Sequence, residues 1–208
     1  MSAAGRILQF AKAPLPGRVK SRLATALGTE GAAEVARVLT ERVAAGLTAL
    51  PAGWDPVLCA DMPGDPALQA IAARHARVLW PQGEGDLGQR MGRCVARALA
   101  ASRAAIVIGS DCTGYDSTYL RHAIRILESG TDAVLGPAVD GGYVLIGFRR
   151  WVPGAMDGIA WGSPTVADAQ RRRFAAAGLG WEELPPRADV DRPEDLWMLG
   201  RAPGIRRW

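Results

Sequence analysis

The sequence predicts an α/β protein built on a mostly parallel sheet covered on both faces. Three observations carry this. Short apolar runs alternate with segments of helical periodicity along most of the 208 residues, the rhythm of strands joined by helical crossovers. The run AIVIG at 105–109 reads as a fully buried strand. The strand-like stretches 133–136 and 143–148 lie too close together for a helical crossover, so these two need not be parallel neighbours.

The elements follow in order. Residues 6–11 form the first strand. Thr29 is placed to cap a helix running to about residue 49, with Val35, Val38, Leu39 and Val43 at helical spacing. A second strand covers 56–60, a short helix 67–74 and a third strand 77–80. The stretch 87–101 is helical with Met91, Val95, Ala98 and Leu99 on one face, and 118–127 turns Leu120, Ile124 and Leu127 inward. A helix over 164–177, a short strand at 181–184 and a last helix from Pro193 complete the order. No repeat, linker or low-complexity segment interrupts it, which predicts one domain over residues 1–208.

Composition narrows the function classes. The formal charge is +4, but the charges are mixed along the chain. No basic run or aromatic-interleaved patch points to nucleic acid. No apolar run reaches the ~20 residues of a membrane span, and the N-terminus lacks a signal-peptide pattern. Cys59, Cys94 and Cys112 are odd in number and irregular in spacing. That favours reduced thiols in a cytoplasmic protein over a disulfide framework or a zinc site.

In such sheets ligands collect beyond the carboxyl ends of the strands, and the loops there are unusual. FAKAPLPGRVKSRLA holds both lysines of the chain, Lys12 and Lys20, with Arg18 and Arg22. Two prolines and Gly17 keep a helix from starting before about Arg18. The cations then suit a phosphate, the lysines by reach and the arginines by bidentate grip, although a solvated basic loop has the same composition. It is not a Walker A loop, since no second glycine precedes Lys20.

Asp111 follows AIVIG, so a strand delivers its carboxylate to the ligand edge. Mg²⁺ or Mn²⁺ prefers one or two such carboxylates with phosphate oxygens. Asp189 and Asp191 in RADVDRPED stand at i and i+2 and can face one ion in extended chain. A capping box of Asp191 with Glu194 is the alternative, and it leaves Asp189 unexplained. VDGGY reads as an Asp-Gly hairpin turn, or as Gly141 and Gly142 admitting a substrate with Asp140 or Tyr143 in polar contact. QGEGDLGQR can line a flat base, with Gln82 or Asp86 reading its edge, or be a flexible loop. His75 and His122 sit in helical stretches away from these loops. Trp161, in AWGSPT, is the tryptophan placed to border a pocket.

Together FAKAPLPGRVKSRLA, QGEGDLGQRM, VIGSDCTGYD, LGPAVDGGYVLIG, WGSPTV and DVDRPEDL resemble the bacterial radical-SAM/selenodomain-associated transferases of the GT-A nucleotide-diphosphosugar transferase superfamily. The match runs from about residue 7 to 197. KSRLA and the DVD tail also resemble phospholactate guanylyltransferases, more distantly. The resemblance implies a GT-A fold, a Rossmann-like three-layer α/β/α arrangement with a mostly parallel mixed sheet. It implies that Lys12, Arg18, Lys20 and Arg22 hold a nucleotide's phosphates and that Gln82, Gly83, Asp86 and Gly88 contact the nucleotide. Asp111, Asp189 and Asp191 would hold Mg²⁺ or Mn²⁺, with Lys20, Arg22 and Asp111 at the chemistry. Asp140, Gly141, Gly142, Tyr143 and Trp161 would border the acceptor. Two departures stand out: the LAGG-type glycine pair of sugar nucleotidyltransferases is missing, and Thr113 stands where proline is expected.

The expected activity is transfer of a nucleotidyl group from an NTP to a small phosphorylated or hydroxyl acceptor. A glycosyltransferase using a nucleotide-sugar, and a non-catalytic nucleotide-binding module, are the alternatives. The expected partners are the nucleotide and a small-molecule acceptor, with no nucleic acid and no membrane; a homodimer is left open.

Overall fold

The computed structural model describes residues 3–112 and 115–200; Thr113, the departure noted above, lies outside them. Seven strands form one sheet: β1 Gly5–Ala11, β2 Trp54–Ala60, β3 Val78–Pro81, β4 Ala105–Gly109, β5 Ala133–Pro137, β6 Tyr143–Phe148 and β7 Trp181–Glu183. Their spatial order is β3-β2-β1-β4-β6-β5-β7. Pairs β1–β2, β1–β4, β2–β3 and β5–β7 are parallel, and β6 runs antiparallel to both neighbours. The mixed sheet arises where the sequence placed two strands too close for a crossover. The turn over 138–142 closes a hairpin, Ala138 N–H donating to the Gly142 carbonyl at 2.9 Å.

The helices are α1 Ser21–Gly46, α2 Pro66–Arg74, α3 Leu87–Leu99, α4 Ser117–Glu128 and α5 Val166–Ala176. Alternate strand residues divide between the sheet's faces, as strand pleating demands. Ile106 and Ile108 pack with Leu120, Ile124 and Leu127 of α4. Val107 and Leu135 pack with Met91, Val95 and Ala98 of α3 and with Phe174 of α5. Leu58 and Ala60 face Leu68 and Ile71 of α2. The result is the expected three-layer α/β/α arrangement.

Two expectations need correction. The first helix starts at Ser21 and is broken at Gly28, whose φ of 69° and ψ of 169° are non-helical. Helix-forming residues 21–27, seated by the buried Leu23, add a segment before the break. After α1 the chain tightens into a 3-10 turn, Leu47–Ala49. The last helix is 3-10, Pro193–Leu199, and it is not capped by Asp191. Instead Asp195 accepts from the Asp191 and Arg192 N–H groups at 3.0 and 2.7 Å. Among the described residues no helix is long and apolar enough to cross a membrane, and Cys59, Cys94 and Cys112 are all buried.

Candidate functional site

The four parallel strands β1 to β4 end on one edge, and each delivers a polar residue there: Lys12, Asp61, Gln82 and, two residues beyond β4, Asp111. A cavity of about 750 Å³ opens at this edge, and its lining includes Lys12, Arg18, Lys20, Arg22, Asp111 and Asp191. Buried polar groups brace its floor. Gln9 on β1 donates to the Thr40 carbonyl at 2.9 Å and to Ser110 Oγ at 3.2 Å, and Ser110 donates to the Phe10 carbonyl at 2.9 Å. Tyr115 accepts from the Gly109 N–H at 3.1 Å and donates to the Val144 carbonyl, fixing the end of β4 just before Asp111.

The basic loop is held by Asp61, whose Oδ1 accepts from the Ala13 N–H at 2.7 Å. Lys20, at the N-cap of α1, adopts the left-handed conformation, φ 48° and ψ 44°. Its ammonium lies 2.9 Å from Asp111 Oδ2 and donates to the Val190 carbonyl at 2.6 Å. The Lys20 side chain is 5% exposed and that of Asp111 50%, so a buried cation meets a half-open carboxylate. An ammonium out of water needs such partners. Arg22 pairs with Asp191. Lys12 and Arg18 are exposed, the latter touching Met62 Sδ at 3.5 Å.

Residues 189–191 reach the site through Val190. Its side chain is fully buried with Leu23, Val35, Leu39 and Leu199, and its N–H donates to the Asp111 carbonyl at 3.0 Å. That plug projects the flanking aspartates, but not toward one point. Asp191 goes to Arg22. Asp189 is half-buried, and burial raises its carboxyl above the ordinary carboxylate value; the charges of Asp140 and Asp111 push the same way and Lys20 opposes them. Among the described residues no group of three or more His, Cys, Asp or Glu side chains is arranged to hold a metal ion. Asp111 and Asp189 are the acids of the predicted trio that feel each other's charge.

The glycine-rich loop after β3 is less open than its composition suggests. Gln82 is buried, its amide donating to the Ala11 and Cys59 carbonyls at 3.0 and 2.8 Å, so both donor hydrogens tie strand ends together. Asp86 caps α3, accepting from the Gln89 N–H at 2.9 Å. Gly88 is a packing residue: a Cβ there would stand 2.6 Å from the Met156 carbonyl oxygen and 2.9 Å from Trp161. Gly83 lines a smaller cavity of about 430 Å³ with Lys12, Arg18, Asp61 and Arg90.

Tyr143 and Trp161 line the large cavity, with ring centroids 6.1 Å apart and planes at 83°. Among the described residues, their buried Oη and Nε1 atoms have no hydrogen-bond partner. Asp140, Gly141 and Gly142 are not part of that lining. Asp140 accepts from the Gly142 N–H at 3.0 Å, closing the turn. Gly141 makes a close approach to the protein itself: with φ at +90°, a Cβ would sit 2.0 Å from the Pro164 oxygen. Sequence reasoning missed Arg90, which lines both cavities. The signal was its place four residues after Asp86, one turn along α3 on the same side.

The fold has counterparts among solved structures. One is a protein of Desulfovibrio desulfuricans G20, provisionally assigned as a nucleotide-diphospho-sugar transferase. It is 33% identical over 100% of this chain and 91% of its own, with a TM-score of 0.84. Glucosyl-3-phosphoglycerate synthase from Mycobacterium tuberculosis, solved with Mn²⁺, UDP and glucosyl-3-phosphoglycerate, is 11% identical over 93% of this chain and 74% of its own, with a TM-score of 0.59. A cytidylyltransferase from Leptospira borgpetersenii serovar Hardjo-bovis is 12% identical over 94% and 84%, with a TM-score of 0.62. At those identities the last two establish the likeness of fold, that of the nucleotide-diphospho-sugar transferases, and no more. No curated protein sequence matches the chain significantly. Residues 46–163 match the model of a family described as uncharacterized proteins conserved in bacteria (DUF2064), and with more than half its length matched the chain belongs to that family.

Proposed function

We propose that this protein is a transferase acting on a nucleotide donor, and that it moves a nucleotidyl group from an NTP to a small phosphorylated or hydroxyl acceptor. The observation that carries the reading is the contact of Lys20 with Asp111 at 2.9 Å in a cavity also lined by Lys12, Arg18 and Arg22. Phosphoryl chemistry asks a protein mainly for positioning and charge neutralisation, and this cavity is lined for both. Lys12 and Arg18 are exposed at the cavity, Arg18 against the Met62 sulfur, and would meet phosphate oxygens. Lys20 and Arg22 are held by carboxylates that phosphates would replace. An acceptor phosphate would need no strong base, in keeping with His75 lying away from the cavity and paired with Glu41.

A divalent ion fits in part. Asp111 and Asp189 are hard oxygen donors of the kind Mg²⁺ or Mn²⁺ takes; the Asp189 carboxyl is raised chiefly by burial and in smaller part by the charges of Asp140 and Asp111, which a dication would offset. Asp191, engaged by Arg22, is the poorer ligand. Once bound, the ion would supply Lewis-acid neutralisation of phosphate charge. The DUF2064 match does not extend to the radical-SAM association or to phospholactate guanylyltransferases, which rest on the motifs.

A second reading, glycosyl transfer from a nucleotide-sugar, draws on the Tyr143–Trp161 corner, since aromatic faces suit a sugar ring. Product analysis separates the two. Labelled NTPs with an acceptor panel should release pyrophosphate, whereas release of a nucleoside diphosphate from sugar nucleotides supports the second reading, and binding without any turnover defeats both. Nucleotide at 100 times its dissociation constant with Mg²⁺ should raise Tm by roughly 5–10 °C. Asp111→Ala should lose the metal-dependent part of that shift; a shift undiminished in the variant removes Asp111 from the site.

A further inference from the structure

Strands β4 and β6 pair antiparallel from Ala105 opposite Phe148 to Ile108 opposite Leu145. One step further the same register sets Gly109 opposite Val144, and there the strand pairing has ended. The Tyr115 hydroxyl stands between the two, accepting from the Gly109 N–H at 3.1 Å and donating to the Val144 carbonyl. A single phenol oxygen thus bridges a donor and an acceptor on facing strand ends. The place is the mouth of the large cavity. Gly109, Ser110 and Asp111 line it from the β4 side, Tyr143 and Val144 from the β6 side.

A buried hydroxyl has to be met by hydrogen bonds. The Tyr115 ring packs against the core cluster that holds Leu120, Ile124 and Leu145, a seat that phenylalanine would fill as well. What tyrosine adds is the oxygen, and both bonds of that oxygen go to backbone at the cavity. Its proton is secure. Burial, then the charges of Cys112 and Asp111, push the phenol well above its ordinary value against the opposing Gly109 N–H, so donation to Val144 persists at neutral pH. Asp111 lies two residues beyond Gly109. From the far side its carbonyl accepts from the Val190 N–H at 3.0 Å and its carboxylate meets Lys20 at 2.9 Å. Tyr115 is the restraint on the strand side.

We infer that Tyr115 is a positioning residue whose hydroxyl props β4 against β6 at the cavity mouth and sets where the Asp111 carboxylate stands relative to the Tyr143 wall. The inference rests on the proposed reading of Asp111 as an ion ligand and adds what holds that ligand in place. Without the hydroxyl, Gly109 N–H and the Val144 carbonyl lose their common partner, and the turn bearing Asp111 is no longer fixed.

The test uses Tyr115→Phe in the full chain. Tyr119→Phe is the control, since among the described residues the buried Tyr119 hydroxyl has no hydrogen-bond partner. Hydrogen exchange at the Gly109 amide reads the prop directly. Calorimetric titration with the common ribonucleoside triphosphates, with and without Mg²⁺, reads Asp111. In wild type the Gly109 amide should be protected although it lies beyond the last β4–β6 pair. Tyr115→Phe should speed its exchange about tenfold or more. The variant should also cut the Mg²⁺-dependent gain in nucleotide affinity at least about fivefold, while metal-free affinity, which the basic loop supplies, stays within about twofold. A merely loosened fold would weaken both affinities together. Tyr119→Phe should move none of these readings. An unprotected Gly109 in wild type, a check that needs no variant, overturns the inference. So does unchanged exchange in Tyr115→Phe, an undiminished Mg²⁺-dependent gain, or a parallel loss of both affinities. If wild type itself gains nothing from Mg²⁺, the ion reading of Asp111 fails, and exchange at Gly109 alone decides whether the prop stands.

Discussion

Lys20 is where residue chemistry and backbone geometry meet. A non-glycine residue in the left-handed region costs roughly 1–2 kcal/mol, and glycine would avoid that cost at φ 48°. The chain instead holds a lysine there, with its ammonium buried against Asp111 and the Val190 carbonyl. Asp189 carries a related cost. Its carboxyl titrates above the ordinary range, chiefly through burial, so the folded state binds that proton more tightly than the unfolded chain does. Stability is therefore lost as pH climbs from the ordinary carboxylate value through the raised folded one. Asp189→Asn should accordingly melt higher than wild type at pH 7, on the order of 2 °C, with the gap closing toward pH 4. Thermal melts across that range check it; a variant that melts lower at pH 7, or a gap indifferent to pH, contradicts the sign. The identities of these residues were legible from the sequence. Their pairing was not, because which carboxylate a lysine or arginine meets depends on chain segments about 90 to 170 positions apart.

At the scale of elements, strand–helix alternation located all seven strands and the five main helices, because buried strands and one-sided helices have distinct apolar periods. Residues 21–27 were hidden by the proline-rich loop before them and by Gly28 after them. The hairpin between β5 and β6 was legible from the short spacing of the two strands and from the Asp-Gly turn signal in VDGGY. The glycines were harder: Gly88 and Gly141 look alike in sequence to ligand-approach glycines, yet both admit other parts of the protein. For Gly88 this is testable. In Gly88→Ala the added methyl would press on the Met156 carbonyl oxygen and Trp161. A backbone atom cannot move aside cheaply, so the seat between α3 and the segment carrying Trp161 should open at a cost of about 1–3 kcal/mol. Denaturant unfolding measures this, and an unchanged midpoint would show that the seat yields without cost.

At the scale of the whole molecule, cations from near the start of the chain share one pocket with acids from its middle and its late part, and without ligand they pair with one another. On the proposed reading, nucleotide binding would pull Lys20 and Arg22 from their carboxylates, and cation binding would pull Asp111 from Lys20. Each event therefore prepares the other. Calorimetry should find nucleotide affinity about 5–150-fold higher with saturating Mg²⁺, and Mg²⁺ affinity raised by the same factor with saturating nucleotide. Equal affinities with and without the second ligand would mean that the pairs do not gate the pocket.

The segment bearing Asp189 and Asp191 is seated late in the chain, by Val190 in the α1 cluster and by Arg42 donating to the Leu199 carbonyl at 2.6 Å. Every strand of the sheet precedes it along the polypeptide. During synthesis all seven strands thus emerge from the ribosome before Asp189 and Asp191 do. On the proposed reading, a product cut short before that seat forms should keep its sheet and lose its activity.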